Sequence, residues 1–393
     1  MLTGNICPIC ASTNVSVFFE VLDMPVHIGV QWSSREAAQN CPKGDIRLAF
    51  CQECGFITNL AFNPKLLEYS AAYDNSLHFS SVFQEYARSL ATRLVEHYNI
   101  YDQDIIEIGC GKGDFLALLC EIGNNRGVGF DPSYEIQRFD SKAAERMTFI
   151  QDFYSERYAH YQGDLICCRY VFEHIDQPVD FLKMVRRTIG SREAVVYFEV
   201  PNVSLILHDL SVWDIIYEHC SYFSLGSLAY VFAACGFDIC HLAETYKGQF
   251  IGIEAKPGNS HPDFNIDRWD NRAEMADAVA AFADNYRQRT TAWQNNLEQI
   301  ERAGQRVIAW GAGAKGVSFL NMLKTQEQVE YIIDINPHKQ GSYIAGTGQQ
   351  IVSAEFLQKY QPNTIIVMNP IYKHEIKQVV NNLGLSPEFL YAY

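Results

Sequence analysis

A glycine-rich turn at residues 105–114, flanked by acids, is the part of the sequence best suited to bind a ligand. It reads I-I-E-I-G-C-G-K-G-D, and the next strand-like run, G-V-G-F-D, ends at Asp131. The glycines of the turn are Gly109, Gly111 and Gly113. Glycines let a ligand lie against the backbone, and an acid at the tip of the next strand can accept hydrogen bonds from ribose hydroxyls. The pattern predicts a nucleotide-binding half-fold.

The charge of this turn narrows the choice of ligand. Glu107 stands before the first glycine, where a turn that binds pyrophosphate is uncharged, and Asp114 and Asp131 add two further acids. Such a turn suits a ligand that carries positive charge and no phosphate. S-adenosylmethionine (SAM) has a sulfonium, an ammonium and a ribose, so we predict a SAM site. The alternative is a turn of this fold that binds nothing.

Further strand ends are expected to complete the cofactor site. Asp152 and Phe153 follow the third predicted strand, and an acid beside an aromatic ring suits the amino group and the face of an adenine. Ligands of such sheets bind at the carboxyl ends of the strands. The predicted cofactor-binding residues are Glu107, Gly109, Gly111, Gly113, Asp131, Pro132, Asp152, Phe153, Arg169 and Tyr73.

A loop at residues 212–224, V-W-D-I-I-Y-E-H-C-S-Y-F-S, holds the candidate catalytic groups. His219 is suited to accept a proton at neutral pH, and the adjacent Glu218 could hold its tautomer. The hydroxyls of Tyr217 and Tyr222 could stabilise an enolate oxygen. The alternative is that Glu218 and His219 form a buried structural pair.

Two C-x₂-C pairs predict a metal site in the first 60 residues. They are Cys7, Cys10, Cys51 and Cys54. Each tight turn can point two thiolates at one tetrahedral ion, so we predict a structural zinc with no open position. The alternative is four unrelated buried cysteines.

The elements that must position these groups alternate between strand and helix over residues 101–256. Strands are predicted at 104–109, 126–131, 147–151, 164–169 and 194–200, followed by a hairpin at 237–243 and 250–255. This order predicts an α/β, doubly wound sheet with an antiparallel edge strand. Before it, residues 61–100 are expected to be helical, and Tyr73–Ser80 to form either a lid over the cofactor or only a turn that caps a helix.

The last part of the chain repeats the pattern. After a long amphipathic helix at 271–302, the run R-V-I-A-W-G-A-G-A-K-G leads to Y-I-I-D, ending at Asp334. A second Rossmann-like module is predicted, although G-x-G-x-x-G alone is weak evidence for a dinucleotide. The predicted domains are 1–60 (zinc-binding), 61–256 (methyl-donor domain, with 61–100 as lead-in), 257–304 (bridging helix) and 305–393 (Rossmann-like).

Bulk properties exclude several classes of protein. With 31 basic and 46 acidic residues the net charge is −15, which argues against broad contact with nucleic acid or with an anionic membrane. No run of residues is long and apolar enough to span a bilayer, and the N-terminus does not read as a signal peptide. We expect a cytoplasmic protein that is a monomer or a weak homo-oligomer.

The order of parts resembles the deoxysugar C-methyltransferases. The resemblance covers nearly the whole chain. It rests on the two C-x₂-C pairs and on the motifs E-I-G-C-G-K-G-D, Y-E-H-x-S-Y-F-S and G-A-G-A-K-G. It implies a class I SAM methyltransferase core with a zinc-binding domain before it and a second Rossmann-like module after it. It also implies a sugar nucleotide as substrate, methylated at carbon beside a ketone, with His219 as base and Glu218 as its neighbour.

One departure concerns the loop itself. The sugar enzymes usually show Y-H-E-H, whereas Tyr217 runs directly to Glu218 here. The expected substrate-binding residues are Asn202, Gly311, Gly313, Lys315 and Asn369. Two other activities stay open at this point: an O- or N-methyltransferase on the same scaffold, and an NAD-binding oxidoreductase that uses the turn at 311–316.

Overall fold

Three β-sheets organise the protein in a computed structural model that describes residues 5–67, 73–74, 76–135, 141–209, 211–259, 265–325 and 328–392. The strands, in chain order, are β1 Val15–Pro25, β2 Lys43–Cys51, β3 Ile57–Asn59, β4 Asp104–Ile108, β5 Arg126–Phe130, β6 Met147–Ile150, β7 Leu165–Arg169, β8 Val195–Pro201, β9 Ser221–Tyr222, β10 Phe237–Thr245, β11 Phe250–Pro257, β12 Val307–Trp310, β13 Tyr331–Ile333, β14 Gln350–Val352, β15 Thr364–Val367 and β16 Glu388–Tyr391.

Helices cover the sheets and join them. In chain order they are α1 Arg35–Gln39, α2 Ser81–Tyr98, α3 Asp114–Gly123, α4 Pro178–Ile189, α5 Val203–His208, α6 Leu225–Ala234, α7 Arg272–Arg302, α8 Ala314–Leu323, α9 Phe356–Tyr360 and α10 Lys373–Asn382. Within the described ranges, no helix is both long enough and apolar enough to cross a membrane.

The central sheet has seven strands in the order β10-β11-β8-β7-β4-β5-β6. Pairing is parallel from β8 to β6, while β11 runs antiparallel to both β8 and β10. This is the strand order of the class I methyltransferase fold, and the predicted doubly wound sheet is confirmed. The order reverses between β4 and β7, so the crevice for a ligand lies outside the carboxyl ends of these two strands.

Helix α2 shows why the lead-in folds as it does. Its N-cap, Ser80, accepts a hydrogen bond from the Phe83 backbone N–H, and the helix ends at Asn99 in the left-handed conformation (φ 54°). Buried residues at helical spacing face the core: Phe83, Ala87, Leu90, Ala91, Leu94 and Val95. The cap interpretation of Ser80 is therefore confirmed, and nothing in the fold tests the lid.

The N-terminal sheet, in the order β1-β2-β3-β9, ties the cysteine-rich segment to the central module. Strands β1 to β3 pair antiparallel, as expected for a small ribbon-like domain. The fourth strand, β9, lies in the 212–224 loop, where Ser221 pairs with Thr58 and Tyr222 with Ile57. Part of the 212–224 loop is thus built into a sheet.

The C-terminal sheet is wholly parallel, in the order β14-β13-β12-β15-β16. The predicted second Rossmann-like module is confirmed, and its sheet has five strands. Helix α7 packs Phe282 edge-on against Phe19 and Trp293 against Phe319. One apolar core therefore runs from the N-terminal sheet through α7 into the C-terminal module.

Candidate active site

Two glycines in the turn after β4 have left-handed backbone conformations, and their surroundings differ. At Gly109 (φ +71°) an added Cβ would lie 2.1 Å from Cγ2 of Val171, so no side chain fits. At Gly111 (φ +54°) no described atom lies within 4 Å of the Cβ position, so the turn faces open space there. This opening is where the sequence predicts a ligand against the backbone.

Glu107 lies directly beneath this turn, in β4. Its side chain is 3% exposed, and among the described residues its Oε2 atom has no hydrogen-bond partner. Burial raises the pKa of Glu107 to about 8, although the nearby Arg169 lowers it. A buried carboxyl with an unsatisfied oxygen is costly unless a donor or a cation reaches it, and a cationic ligand above the turn would meet that need.

Asp131 sits at the tip of β5, as predicted, and closes the turn. Its Oδ2 accepts from the Gly111 backbone N–H at 2.8 Å, and its Oδ1 accepts from the Ser133 backbone N–H and hydroxyl at 2.7 and 2.6 Å. An ionised carboxylate offers about four acceptor positions. Asp131 therefore holds the turn in shape and keeps acceptor capacity for one further donor, such as a ribose hydroxyl.

Asp152, which follows β6 and was expected to bind adenine, is bonded to protein groups instead. Asp152 accepts from the Tyr158 hydroxyl at 2.6 Å, forms an ion pair with Arg157 and also bonds the Phe153 backbone N–H. Its oxygens are already paired, so an adenine amino group would have to compete for them. Phe153 is 61% exposed, which leaves its ring available for stacking. Pro132 contributes its carbonyl to Gln151.

Arg169, at the end of β7, forms a buried ion pair that links neighbouring strand ends. Its guanidinium is buried, bonds Glu199 Oε2 at 2.9 Å and lies 4.1 Å from the centre of the Phe115 ring. Glu199 is also held by Tyr86, Tyr197 and Thr245. Because these partners satisfy the charge of Arg169, the expectation that it binds cofactor directly is corrected: it fixes the strand ends beneath the crevice.

His219 lies in a cluster with Glu173 and His174, which follow β7. Ligand-type atoms of the three side chains all lie within 4.8 Å of one another, and the two imidazole rings are 5.0 Å apart, edge to face. His174 Nδ1 is 3.1 Å from the Glu218 backbone carbonyl, which anchors the loop. Burial, with His174 and Lys315 nearby, holds the pKa of His219 well below its usual range, so the ring is neutral at pH 7.

Glu218 does not hold His219, contrary to the sequence expectation. Its Oε1 accepts from the Ile28 backbone N–H at 2.7 Å and its Oε2 from the Tyr73 hydroxyl at 2.8 Å. Residues 217 and 218 form a turn in which the His219 backbone N–H bonds the Ile216 carbonyl at 3.3 Å, and both Glu218 oxygens are taken by other partners. The alternative of a buried Glu218–His219 pair is wrong for the same reason. The Tyr73 ring packs against Gly29.

The two tyrosines expected to stabilise an enolate are committed elsewhere. Tyr217 is buried beside Gly44 and Phe62, and its oxygen accepts from the Asn63 backbone N–H at 2.9 Å. The Tyr222 hydroxyl donates to the Ile216 carbonyl at 3.1 Å in a buried position. Neither hydroxyl is available to a substrate, so both catalytic assignments are corrected to structural ones.

Three of the expected substrate-binding side chains also serve the fold. Asn202 caps α5 and donates to Glu244 and to the Gly248 carbonyl. Asn369 donates to Gln249 across the two α/β modules. Lys315 forms an ion pair with Asp214, in the 212–224 loop. The Asn369 and Lys315 contacts join the two modules, whereas the Asn202 contacts lie within the central module.

The turn after β12 is already closed by its own residues. Asp334 Oδ2 accepts from the Ala312 backbone N–H at 3.0 Å, and Lys339 Nζ donates to the Ala312 carbonyl at 3.2 Å. Gly311 (φ +113°) faces Met368, and Gly313 starts α8 as its N-cap. Asp334 and Lys339 thus already bond the backbone groups of Ala312, so the turn is occupied where a phosphate would otherwise bind.

The four paired cysteines converge as predicted. Their sulfurs all lie within 4.8 Å of one another, and the Cys7–Cys54 and Cys10–Cys51 sulfur distances are both 3.5 Å. Four thiolates at about 2.3 Å from a zinc ion would be about 3.8 Å apart. The donor set therefore fits a tetrahedral zinc ion. Cys41 and His27, which lie between the pairs, are not part of this group.

Family models match most of the chain in two pieces. Residues 79–242 match a methyltransferase domain, and residues 269–384 match a C-methyltransferase C-terminal domain. The C-methyltransferase NovU of Streptomyces niveus is 25% identical over 319 residues, which is 76% of this chain and 75% of NovU. Together with the sheet order, these matches define the class of protein: a SAM-dependent methyltransferase.

Solved methyltransferases resemble the chain only weakly. Magnesium protoporphyrin IX methyltransferase of Synechocystis PCC 6803, with bound SAH, is 17% identical, with 45% of this chain and 84% of that chain covered at a TM-score of 0.35. A Burkholderia thailandensis 1,6-didemethyltoxoflavin-N1-methyltransferase is 13% identical, with 46% and 82% covered at a TM-score of 0.33. The likeness of the chain to known methyltransferases rests on the two family domains and their order: a methyltransferase domain followed by a C-methyltransferase C-terminal domain.

Proposed function

We propose that this enzyme transfers a methyl group from SAM to the carbon beside the ketone of a keto sugar nucleotide, with His219 as the base. The observation that carries the proposal is the place of His219. It stands at the carboxyl edge of the methyltransferase sheet, next to the module that matches a C-methyltransferase C-terminal domain. Forming a bond to carbon needs a base that removes a C–H proton, and this histidine is suitably placed.

The cofactor half of the site fits SAM by three features. The turn is open above Gly111, the Glu107 carboxyl lacks a partner, and Asp131 keeps one acceptor position. SAM, when bound, would supply the methyl group, and the electron pair of the broken methyl–sulfur bond would stay on the sulfur, which loses its positive charge. Glu107 favours that charge, Asp131 orients the ribose, and the exposed Phe153 ring is available to the adenine. Arg169 and Glu199 keep the strand ends rigid and add no free charge.

The acceptor half is built around the histidine. His219 takes the proton from the carbon next to the ketone, the electron pair of that C–H bond forms the new C–C bond, and the proton stays on the imidazole. His174, fixed by the Glu218 carbonyl, packs edge-on against His219 and sets its position. Holding base, carbon and methyl group in line contributes much of the rate.

An oxyanion donor is still required, and Tyr73 is the best candidate. Tyr217 and Tyr222 bond backbone groups, whereas Tyr73 is half-buried and donates to the side chain of Glu218, the residue that precedes the base in the chain. Turning this hydroxyl from Glu218 toward a substrate oxygen would give the enolate one hydrogen bond. We therefore assign Tyr73 to the methyl-acceptor site, as donor to the enolate oxygen, and not to the SAM site.

The four cysteines are proposed to hold a structural zinc ion that supports the loop. Cys51 ends β2, Cys54 precedes β3, and β3 pairs with β9 directly after His219. The Asn59 backbone N–H also bonds the Cys220 carbonyl at 3.0 Å. A closed tetrahedral site would fix this segment and, through it, the position of the base.

Product analysis tests the proposal. The enzyme is incubated with SAM carrying a carbon-13 methyl group and with a set of keto sugar nucleotides, and the product is examined by NMR. A methyl carbon bonded to carbon, stable to acid hydrolysis, supports C-methylation. A methyl carbon bonded to oxygen or nitrogen contradicts it and leaves an O- or N-methyltransferase.

A further inference from the structure

The cluster of Glu173, His174 and His219 has a property that the proposed reaction does not use. Its carboxylate oxygen and ring nitrogens all lie within 4.8 Å of one another. Two imidazoles and one carboxylate are a common ligand set for zinc and for other divalent transition metals. The three side chains come from two segments, one after β7 and one before β9, so the fold brings them together.

Glu173 provides the second observation. Its side chain is 2% exposed, and its Oε2 atom has no hydrogen-bond partner among the described residues. Few buried carboxyl oxygens in proteins are left in this state, because each costs desolvation energy. A divalent cation is the kind of partner that would satisfy it.

His174 is oriented as a metal-bound histidine would be. One of its ring nitrogens, Nδ1, faces the Glu218 carbonyl at 3.1 Å. Metal-binding histidines usually donate one ring N–H to a carbonyl or a carboxylate and bind the ion through the other nitrogen. The contact with Glu218 fits a histidine that donates from Nδ1 to this carbonyl and binds an ion through Nε2.

The charges around the cluster permit a cation. Lys315 is the cation that acts on His219, but Asp214 pairs with it and offsets its charge. Both histidines keep some exposed surface. Ligand atoms around one zinc ion at about 2.1 Å are about 3.4 Å apart. A contraction of the cluster by roughly 1 Å would therefore complete the site, with water as the remaining ligand.

We propose that Glu173, His174 and His219 form a site for one divalent transition-metal ion, and that an ion bound there inhibits methyl transfer. The ion would occupy the imidazole lone pair that otherwise accepts the substrate proton. The binding site is independent of the proposed function. The inhibition rests on it, because it requires His219 to be the base.

Metal counting tests the binding. Enzyme with its cysteine site loaded is dialysed against Zn²⁺, and metal is counted by mass spectrometry; the same is done with Glu173→Gln, which keeps the shape of the side chain. We expect two ions per wild-type chain and one in the variant, while His97→Asn, on the exposed face of α2, keeps two. Titration with Co²⁺ identifies the site that is lost, because only the cysteine site gives thiolate charge-transfer absorption. One ion per chain in wild type would overturn the site.

Inhibition is measured separately, on the methyl acceptor identified by product analysis. Excess Zn²⁺ should stop wild-type turnover, a chelator should restore it, and Glu173→Gln should need at least about tenfold more Zn²⁺ for the same loss. Equal sensitivity of both enzymes would overturn the inhibitory role even where two ions are counted. If no acceptor is ever methylated, the metal count still decides the site, so failure of the proposed function is distinguishable from failure of this inference.

Discussion

The two Rossmann-like modules close their glycine-rich turns in the same way and use them differently. In the central module Asp131 accepts from the Gly111 N–H, and in the C-terminal module Asp334 accepts from the Ala312 N–H. Each acid follows the second strand of its module and also bonds the N–H two residues later. The local chemistry of the two turns is thus nearly the same.

What differs is the surroundings. Above Gly111 the space is open, and Glu107 below it lacks a partner, whereas the C-terminal turn is filled by Lys339 on the Ala312 carbonyl and flanked by the Lys315–Asp214 ion pair. One turn is available to a ligand and the other joins modules. A G-x-G motif therefore indicates a Rossmann-like fold, and the residues around the turn decide whether it can bind a ligand.

The largest effect should come from the base. We expect His219→Asn to lower turnover by about 10²- to 10⁴-fold, the usual contribution of a general base. Affinity for SAM should be unchanged, because the cofactor lies on other strand ends. Turnover and equilibrium binding are measured on the same preparation, with His97→Asn as control. Near wild-type turnover of the His219 variant would exclude it as the base.

A matched pair of substitutions tests the comparison itself. Asp131→Asn removes a charged acceptor from the open turn, and Asp334→Asn removes the equivalent acceptor from the filled turn. A hydrogen bond to a charged group is worth about 1.5–3 kcal/mol, so SAM affinity should fall roughly 10- to 100-fold in the first variant. The second should lose stability and keep its SAM affinity. Equal losses of affinity would mean that the two turns do not differ in use.

Sequence patterns predicted the central sheet well and the side-chain partners poorly. Apolar runs gave β4 to β8 within one residue at each end, because buried parallel strands need such runs. Strand β9 was missed, since two residues inside a loop carry no pattern of their own. The roles of Tyr217 and Glu218 were also missed, because their partners, Asn63 and Ile28, come from a distant segment.

The sequence predicted part of the Glu173–His174–His219 cluster. Glu173 and His174 follow a predicted strand end, where polar groups gather in this fold. Their contact with His219 was not predictable, because it depends on β9 pairing with β3 in another domain. The contact of His174 with the Glu218 carbonyl anchors the 212–224 loop to the segment after β7.

An intermediate effect is expected at the contact between modules. Lys315→Met leaves Asp214 mostly buried without its partner, which should cost about 1–3 kcal/mol of stability, less than a fully buried pair. The acceptor KM should rise, because the 212–224 loop loses one of its bonds to α8, while SAM affinity stays the same. Thermal unfolding and steady-state kinetics measure both, with the exposed Lys359→Met as control. A weaker affinity for SAM would show that the loop also shapes the cofactor half.

The smallest effect is a pH dependence of SAM binding. Burial raises the pKa of Glu107 to about 8, so the free enzyme carries a neutral carboxyl at pH 7. A cationic ligand favours the ionised form, so SAM affinity should be full above about pH 8 and weaken as the pH falls below it. The demethylated product lacks the sulfonium and should show a shallower dependence. Parallel titrations of both ligands compare the slopes, and Glu107→Gln should make them equal.

The most direct test of the account is calorimetric titration of the full chain with SAM. We predict one binding site per chain, with affinity that is lost or strongly reduced in Asp131→Asn and unchanged in Asp334→Asn. No measurable binding of SAM or of its demethylated product to the wild-type protein, or binding that depends on Asp334 and not on Asp131, would contradict the account.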